Sequence, residues 1–284
     1  GILIVGTYEV NNTSPAKEAN LKTGDIITRI NGNKVSTIEE MATEINKVKD
    51  EKITVNYLRN DKENETTLDL YKDENNIYKT GLYVKDSVTG IGTLTFIDPN
   101  TKIFGALGHE IQEQTTGEIF EIDDGTIFTS KVTGVLPSTD GSPGEKKAEY
   151  NKTNITGKVN ENTTQGIFGE YTANINNSKT YDVAEPKEIK KGKAKILTVL
   201  NNTEIKEYEI NITDINSKKQ KNKNFVFEIT DKELLDKTNG IIQGMSGTPI
   251  IQNGKFVGAI THVLVNNPTV GYAVFGDLML KYWH

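Results

Sequence analysis

The sequence predicts a mainly β chain with a small α+β part. Three observations carry that reading. Short aliphatic and β-branched runs alternate with Gly- and Asn-rich turns along almost the whole length, as strands joined by tight connections do. Strong three-and-four periodicity is confined to one early stretch, Ile38, Met41, Ala42, Ile45 and Val48. The 284 residues leave room for two domains or one large one.

Composition narrows the function. The net charge is -6, so nucleic-acid binding has no electrostatic support at the level of the chain. The basic stretches Lys187 to Lys195 and Lys218 to Lys223 are short and interrupted, and read as solvated loops or strand ends. Without cysteine, neither disulfides nor thiolate metal sites can form. Three scattered histidines suggest no metal and no cofactor. No apolar run approaches the roughly 18 residues of a membrane span. The chain opens inside an apolar run, Gly1 to Val5, so upstream sequence is expected to have been removed.

In order, Ile2 to Val5 is a strand, and Pro15 suits the first turn of a short helix. Gly24-Asp25 turns the chain into the strand Ile26, Ile27, Ile30, and Asn31-Gly32 makes a tight hairpin. Ser36-Thr37-Ile38-Glu39 reads as a capping box opening the one clear helix. Strands follow at Ile53 to Arg59 and Thr66 to Leu70. The series Ser-Pro-Ala, Gly-Asp-Ile-Ile and Asn-Gly resembles a PDZ domain of the bacterial protease-associated kind, which takes a peptide as an added strand beside a helix. The resemblance implies a PDZ domain over residues 1–80. It also places the carboxylate-holding loop before Gly1, so the groove is expected to be incomplete. Met41 and Ile45 are expected in the core.

The remainder, 81–284, reads as many short strands, as a barrel or pair of barrels requires. Asp98-Pro99-Asn100 joins Leu94–Phe96 to Ile103–Ala106, which ends in the corner Gly105-Ala106-Leu107-Gly108-His109. Ala194–Leu200 and Glu207–Ile212 form a hairpin, Phe225–Ile229 is a strand, and Asp231–Leu235 begins a short helix.

The stretch Gly244-Met245-Ser246-Gly247-Thr248-Pro249-Ile250 then precedes a hairpin, and puts a serine between glycines on a tight turn. Amides of Gly244 and Ser246 pointing one way would make a two-donor hole for an oxyanion. The loop resembles the serine loop of chymotrypsin-like peptidases, and the His109 corner is where such a barrel supplies its general base. Spacing sets Thr261, His262 and Val263 on the strand that would pair with substrate backbone.

Taken together, Gly-Ile-Gly-Thr-Leu-Thr-Phe, Gly-Ala-Leu-Gly-His, Ile-Thr-Asp and Gly-Met-Ser-Gly-Thr-Pro-Ile behind a PDZ-like start resemble the stage IV sporulation protein B peptidases. The resemblance covers essentially the whole chain. It implies a PDZ domain followed by a chymotrypsin-like double β-barrel. By the same resemblance Ser246 is the nucleophile, His109 the base and Asp231 the acid. The rival placing sets Asp231 along the specificity pocket or in support of the loop, with Asp140 or Asp182, which fall between base and nucleophile, or no acid orienting His109. The family also implies a self-cleaving serine endopeptidase of sporulation signalling. Its partners would be its own N-terminal region, a peptide at the PDZ domain, and a membrane-bound regulator of an intramembrane protease whose cleavage leads to late sigma-factor activation. Its place would be extracytoplasmic, membrane-associated, between forespore and mother-cell membranes. The rival readings are a PDZ-based peptide-docking protein with an inert barrel, and an esterase or acyltransferase using the same triad.

Overall fold

The computed structural model describes residues 1–113, 117, 119, 120, 122, 124–175, 179–216 and 221–281. Residues 218–220 of the second basic stretch and His284 lie outside them. The described chain divides into two compact units, residues 1–89 with 112–118, and residues 90–111 with 119–284.

In the first unit β1 (Ile2–Thr7), α1 (Pro15–Glu18), β2 (Ile26–Ile30), β3 (Asn33–Lys34), α2 (Ile38–Asn46), β4 (Lys52–Arg59) and β5 (Lys62–Asp69) follow the predicted order. Asn31 and Gly32 both have left-handed φ, as the predicted tight turn demands. The capping box sits one residue later than the sequence suggests. Thr37 accepts from the Glu40 amide, while the Glu40 carboxylate accepts from the amides of both Ser36 and Thr37. Both registers satisfy the S/T-x-x-E spacing. The observed one gives a single carboxylate two amides to cap and keeps Met41 and Ile45 in the core beside Ile27, Ile30 and Val55. The Gly24-Asp25 turn is locked from β4, where Arg59 binds the buried Asp25 carboxylate through two nitrogens, each at 2.7 Å.

Beyond the short pair β6 (Tyr71–Lys72) and β7 (Tyr78–Lys79), a further strand β8 (Leu82–Lys85) joins the same sheet. The order is β5-β4-β2-β1-β8, and β8 runs antiparallel to β1 with Leu3 opposite Lys85 and Thr7 opposite Leu82. The sequence reading leaves this edge of β1 open and ends the unit at residue 80. In the structure β8 lies along it, and the unit continues to Thr89. Lys85 at the end of β8 pairs at 2.8 Å with the buried carboxylate of Glu113.

The second unit holds β9 (Leu94–Ile97), β10 (Ile103–Ala106), β11 (Gly125–Leu136), β12 (Glu145–Thr163) and β13 (Gly166–Tyr171) in an antiparallel sheet of order β11-β12-β13-β10-β9. It continues with β14 (Gly192–Val199), β15 (Ile205–Ile215), β16 (Phe225–Ile229), α3 (Lys232–Thr238), β17 (Pro249–Gln252), β18 (Lys255–Leu264), β19 (Asn267–Phe275) and α4 (Gly276–Lys281). Strands β14-β15-β16-β19-β18-β17 close into a barrel. The expected pair of barrels is thus one closed barrel and one half-barrel. Alternation along β16 sends Phe225, Phe227 and Ile229 inward, where Ile196, Ile210, Ile250 and Val257 meet them. Each such burial is worth about 1.5–3 kcal/mol relative to exposure. Phe168 from β13 packs with Ala259 and Val274 of the barrel, so sheet and barrel share apolar contact.

Candidate active site

The serine loop leaves α3 through left-handed Asn239 and reaches β17 at Pro249. Hydrogen bonds grip it from both sides. Ser138 Oγ donates to the Ile241 carbonyl at 3.0 Å, and the Gln243 amide to Gly144 at 2.7 Å. From β9 and the residue before it, Thr93 Oγ1 donates to the Gly244 carbonyl and Thr95 Oγ1 to the Gly247 carbonyl, each at 2.7 Å. The Thr93 amide adds a bond to the Ser246 carbonyl at 2.9 Å. Among the described residues no acceptor takes the amides of Gly244 or Ser246. Two unspent donors flank the serine, as an oxyanion site needs.

Lys146 lies behind this loop. Its stem packs against Gly244, whose φ is +94, and its Nζ donates to Thr198 Oγ1 at 2.8 Å. Burial brings its pKa down to about 8.

The histidine corner docks on the same loop. After β10, Leu107 and Gly108 both take left-handed φ, 68° and 71°, and turn the chain sharply. For Leu107 this costs on the order of 1–3 kcal/mol and persists because the surroundings impose it. The Leu107 amide donates to the Thr93 carbonyl at 3.2 Å, so Thr93 holds the serine loop with its amide and the histidine corner with its oxygen. A Cβ on Gly247 would overlap the Leu107 amide and the Thr93 carbonyl, and one on Gly108 would lie 3.0 Å from Thr261 Cγ2. The two loops meet at Gly247, where a side chain would separate them, and Gly108 lets the corner lie against β18 and β19.

His109 and Ser246 therefore arrive on touching loops. Ser246 Oγ lies 3.5 Å from the Thr261 carbonyl, to which it points as donor. His109 Nδ1 sits 2.7 Å from the Glu110 carbonyl. A carbonyl only accepts, so Nδ1 carries the proton and the neutral ring keeps its lone pair on Nε2, the nitrogen a general base uses. Among the described residues no hydrogen bond joins His109 to Ser246. Catalytic hydrogen bonds are commonly long before substrate arrives.

Thr261, His262 and Val263 lie on β18 beyond Ala259, the last residue of that strand paired with β17. On their other side His262 pairs with Tyr272 and Val263 with Gly271 of β19, the register shifting at Thr261. Thr261 Oγ1 donates to the Asn222 carbonyl at 2.8 Å. The His262 ring stands 5.3 Å from that of His109, tilted 39°. Its Nδ1 is buried with no partner. Burial first, then the His109 and Lys223 charges, bring its pKa down to about 4. The unfolded chain would titrate near 6.5 and takes up this proton first. Stability is therefore fully present above pH ~6.5 and falls as pH drops toward 4. Melting temperature should decline less steeply between pH 7 and 5 in His262→Gln than in the unaltered protein, and equal slopes would reject this origin.

Asp231 is placed elsewhere. It is the N-cap of α3, with Oδ1 accepting from the Leu234 amide at 3.0 Å and Oδ2 from the Glu209 amide at 3.2 Å. It follows β16, whereas Asn222, the residue touching Thr261 and Glu110, precedes that strand. Five residues of strand at ~3.3 Å each separate those ends by about 13 Å or more. Asp140 lies in the exposed turn closed by Thr139 and Ser142, and Asp182 accepts the Phe256 amide through its backbone. The structure brings none of the three to His109. The prediction is that Asp231→Asn, which still caps, keeps labelling of Ser246 by a fluorophosphonate within tenfold, whereas Asp231→Ala loses about 1 kcal/mol of stability. A drop nearer 10⁴-fold for Asp231→Asn would mark a triad acid instead.

Sequence reasoning missed Thr93, Thr95, Lys146 and the Glu110 carbonyl. Thr93 and Thr95 alternate at the start of a strand like any others, and a main-chain carbonyl carries no residue-type signal.

The model of the SpoIVB peptidase S55 family matches residues 76–280, and that of the PDZ domain matches residues 2–70. A curated relative is the zinc metalloprotease RasP of Shouchella clausii (strain KSM-K16), 35% identical over 75 residues. That match takes in 26% of this chain, which spans 18% of the relative's length. Among solved structures, the PDZ domain of an SdrC-like protein from Listeria monocytogenes is 26% identical, covering 30% of this chain and 88% of that one, with a TM-score of 0.27. That score is too low to bear on the fold. The family match spans most of the chain, from β7 through the histidine corner and serine loop to α4, and on it the chain belongs to the SpoIVB peptidase S55 family.

Proposed function

We propose that the chain is a serine endopeptidase in which Ser246 attacks the scissile carbonyl and His109 Nε2 takes its proton, later giving it to the leaving amine. The amides of Gly244 and Ser246 would hold the oxyanion, and the substrate would lie as an added strand along Thr261–Val263. One observation carries this reading: the serine loop and the histidine corner are fastened to each other through Thr93, with Leu107 against Gly247. A nucleophile and a base whose Nε2 makes no hydrogen bond among the described residues thus share one support. We assign Asp231 the cap of α3, and the orientation of His109 to the Glu110 carbonyl.

The family resemblance supports a finer reading: self-cleavage near the N-terminal side, and cleavage of a membrane-bound regulator of an intramembrane protease in sporulation, outside the cytoplasm. The PDZ domain would present a peptide to the enzyme. Incubating the intact protein beside its Ser246→Ala form, and looking for new N-termini by mass spectrometry, tests this. New termini in the first alone support it; the same termini in both place the cleavage with another protease. The peptide-docking alternative draws on the unmade Ser246–His109 hydrogen bond, and would show peptide binding with no new termini.

A further inference from the structure

We infer that Asn162 is a positioning residue for His109, acting through a single peptide group. The inference rests on the base role of His109 proposed above. Asn162 stands near the end of β12, opposite Ile167 of β13. Its Oδ1 accepts from the Ile111 amide at 2.8 Å. Its Nδ2 donates to the carbonyls of Ile111 and Phe120, both at 2.9 Å. Those three bonds engage its oxygen and both its amide protons. A bond from the Phe120 amide to the Ile111 carbonyl at 3.0 Å closes the same neck of the loop.

The Ile111 N–H and the Glu110 C=O are opposite ends of one peptide unit. That unit is planar, so fixing the direction of its N–H fixes the direction of its oxygen. The oxygen is the one that accepts from His109 Nδ1 at 2.7 Å. Asn162 thus aims the acceptor that sets the tautomer and ring plane of His109. Each bond also polarises the next, so a held N–H makes the carbonyl a better acceptor. In a Ser-His-Asp triad a carboxylate does this orienting. Here the described residues put no carboxylate on Nδ1, and an amide side chain plus one main-chain peptide occupy that position.

The inference sets two variants against each other. Asn162→Ala frees the peptide, so Nδ1–H loses a held acceptor and the ring is no longer confined to one tautomer. Asn162→Asp gives up both bonds to the Ile111 and Phe120 carbonyls but keeps an acceptor for the Ile111 N–H, so the Nδ1–H tautomer is retained. The titratable and charged groups around the two rings are His262 from β18, Glu110 from the same loop and Lys223 before β16, and neither variant alters them.

The test is long-range proton–nitrogen NMR of histidine-labelled protein across pH, beside the pH profile of fluorophosphonate labelling. Expected are an Nδ1–H tautomer for His109 in the unaltered chain, mixed tautomers in Asn162→Ala, and the unaltered tautomer in Asn162→Asp. Labelling should fall about 10- to 100-fold in Asn162→Ala, short of the ~10⁴ seen when a triad acid is lost. An unchanged tautomer in folded Asn162→Ala would overturn the inference. If that variant does not fold, mixed tautomers in folded Asn162→Asp would do so. The NMR result stands even if Ser246 never labels. Absent labelling beside the expected tautomers would sink the peptidase reading and leave the positioning of His109 intact.

Discussion

Ser246→Ala is expected to abolish peptide-bond cleavage, with a loss on the order of 10⁶-fold in turnover if nucleophile and base act as a unit. The fold should be untouched. Ser246 Oγ makes one long bond, 3.5 Å to the Thr261 carbonyl, so little stability depends on it. The loop is held by other groups: Thr93 on the Gly244 and Ser246 carbonyls, Thr95 on Gly247, and the Gly247 amide on the Ile260 carbonyl at 2.7 Å. Melting temperature within a degree or two of the unaltered protein, with no turnover, is the predicted pair of results. Turnover that survives would remove Ser246 from the chemistry.

The second large effect is Gly247→Ala. Gly247 has φ +87, where a side chain is strained, and a Cβ there would overlap the Leu107 amide and the Thr93 carbonyl. Both atoms are main chain, so no rotamer change relieves the clash. Strain and overpacking together should cost about 3 kcal/mol, readable as a lower urea midpoint. The consequence for function is more specific. Thr93 and Leu107 are the points where the histidine corner meets the serine loop, so pushing them apart separates His109 from Ser246. Labelling of Ser246 should fall by more than a hundredfold under conditions where the variant is still folded. Gly254, also left-handed but with open space at its Cβ position, serves as the control: Gly254→Ala should cost strain alone and leave labelling near normal.

Much of this architecture is legible in the residues. Period-two burial along β16 and three-and-four spacing through α2 express core contacts directly, so both were predictable from pattern. The histidine corner and the serine loop were legible because glycines mark where backbones must approach closely. The capping place of Asp231 was not. A carboxylate just before a short helix is the same signal for an N-cap as for a catalytic acid, and its oxygens take the Leu234 and Glu209 amides in the structure. The pairing of β8 with β1 was also hidden. Leu82-Tyr83-Val84 is a short apolar run whose partner lies at the other end of the unit, and pairing across that separation leaves no local trace. The capping box slipped by one residue because Ser36 and Thr37 are each followed, three positions on, by glutamate. Lys146 reads as one more surface lysine in a charged stretch, yet the fold buries it against Gly244.

Esterase chemistry would use the same serine and base, and peptide against small-ester substrates would separate the two. The family match favours the peptidase.

The central claim is that Ser246 is a nucleophile activated by His109. Its most direct measurement is reaction of the folded protein with a fluorophosphonate, followed by peptide mapping, beside His109→Ala. The account predicts a single adduct on Ser246 that His109→Ala loses. No adduct on a folded, unaltered chain, or an adduct on Ser246 that forms equally fast without His109, would contradict it.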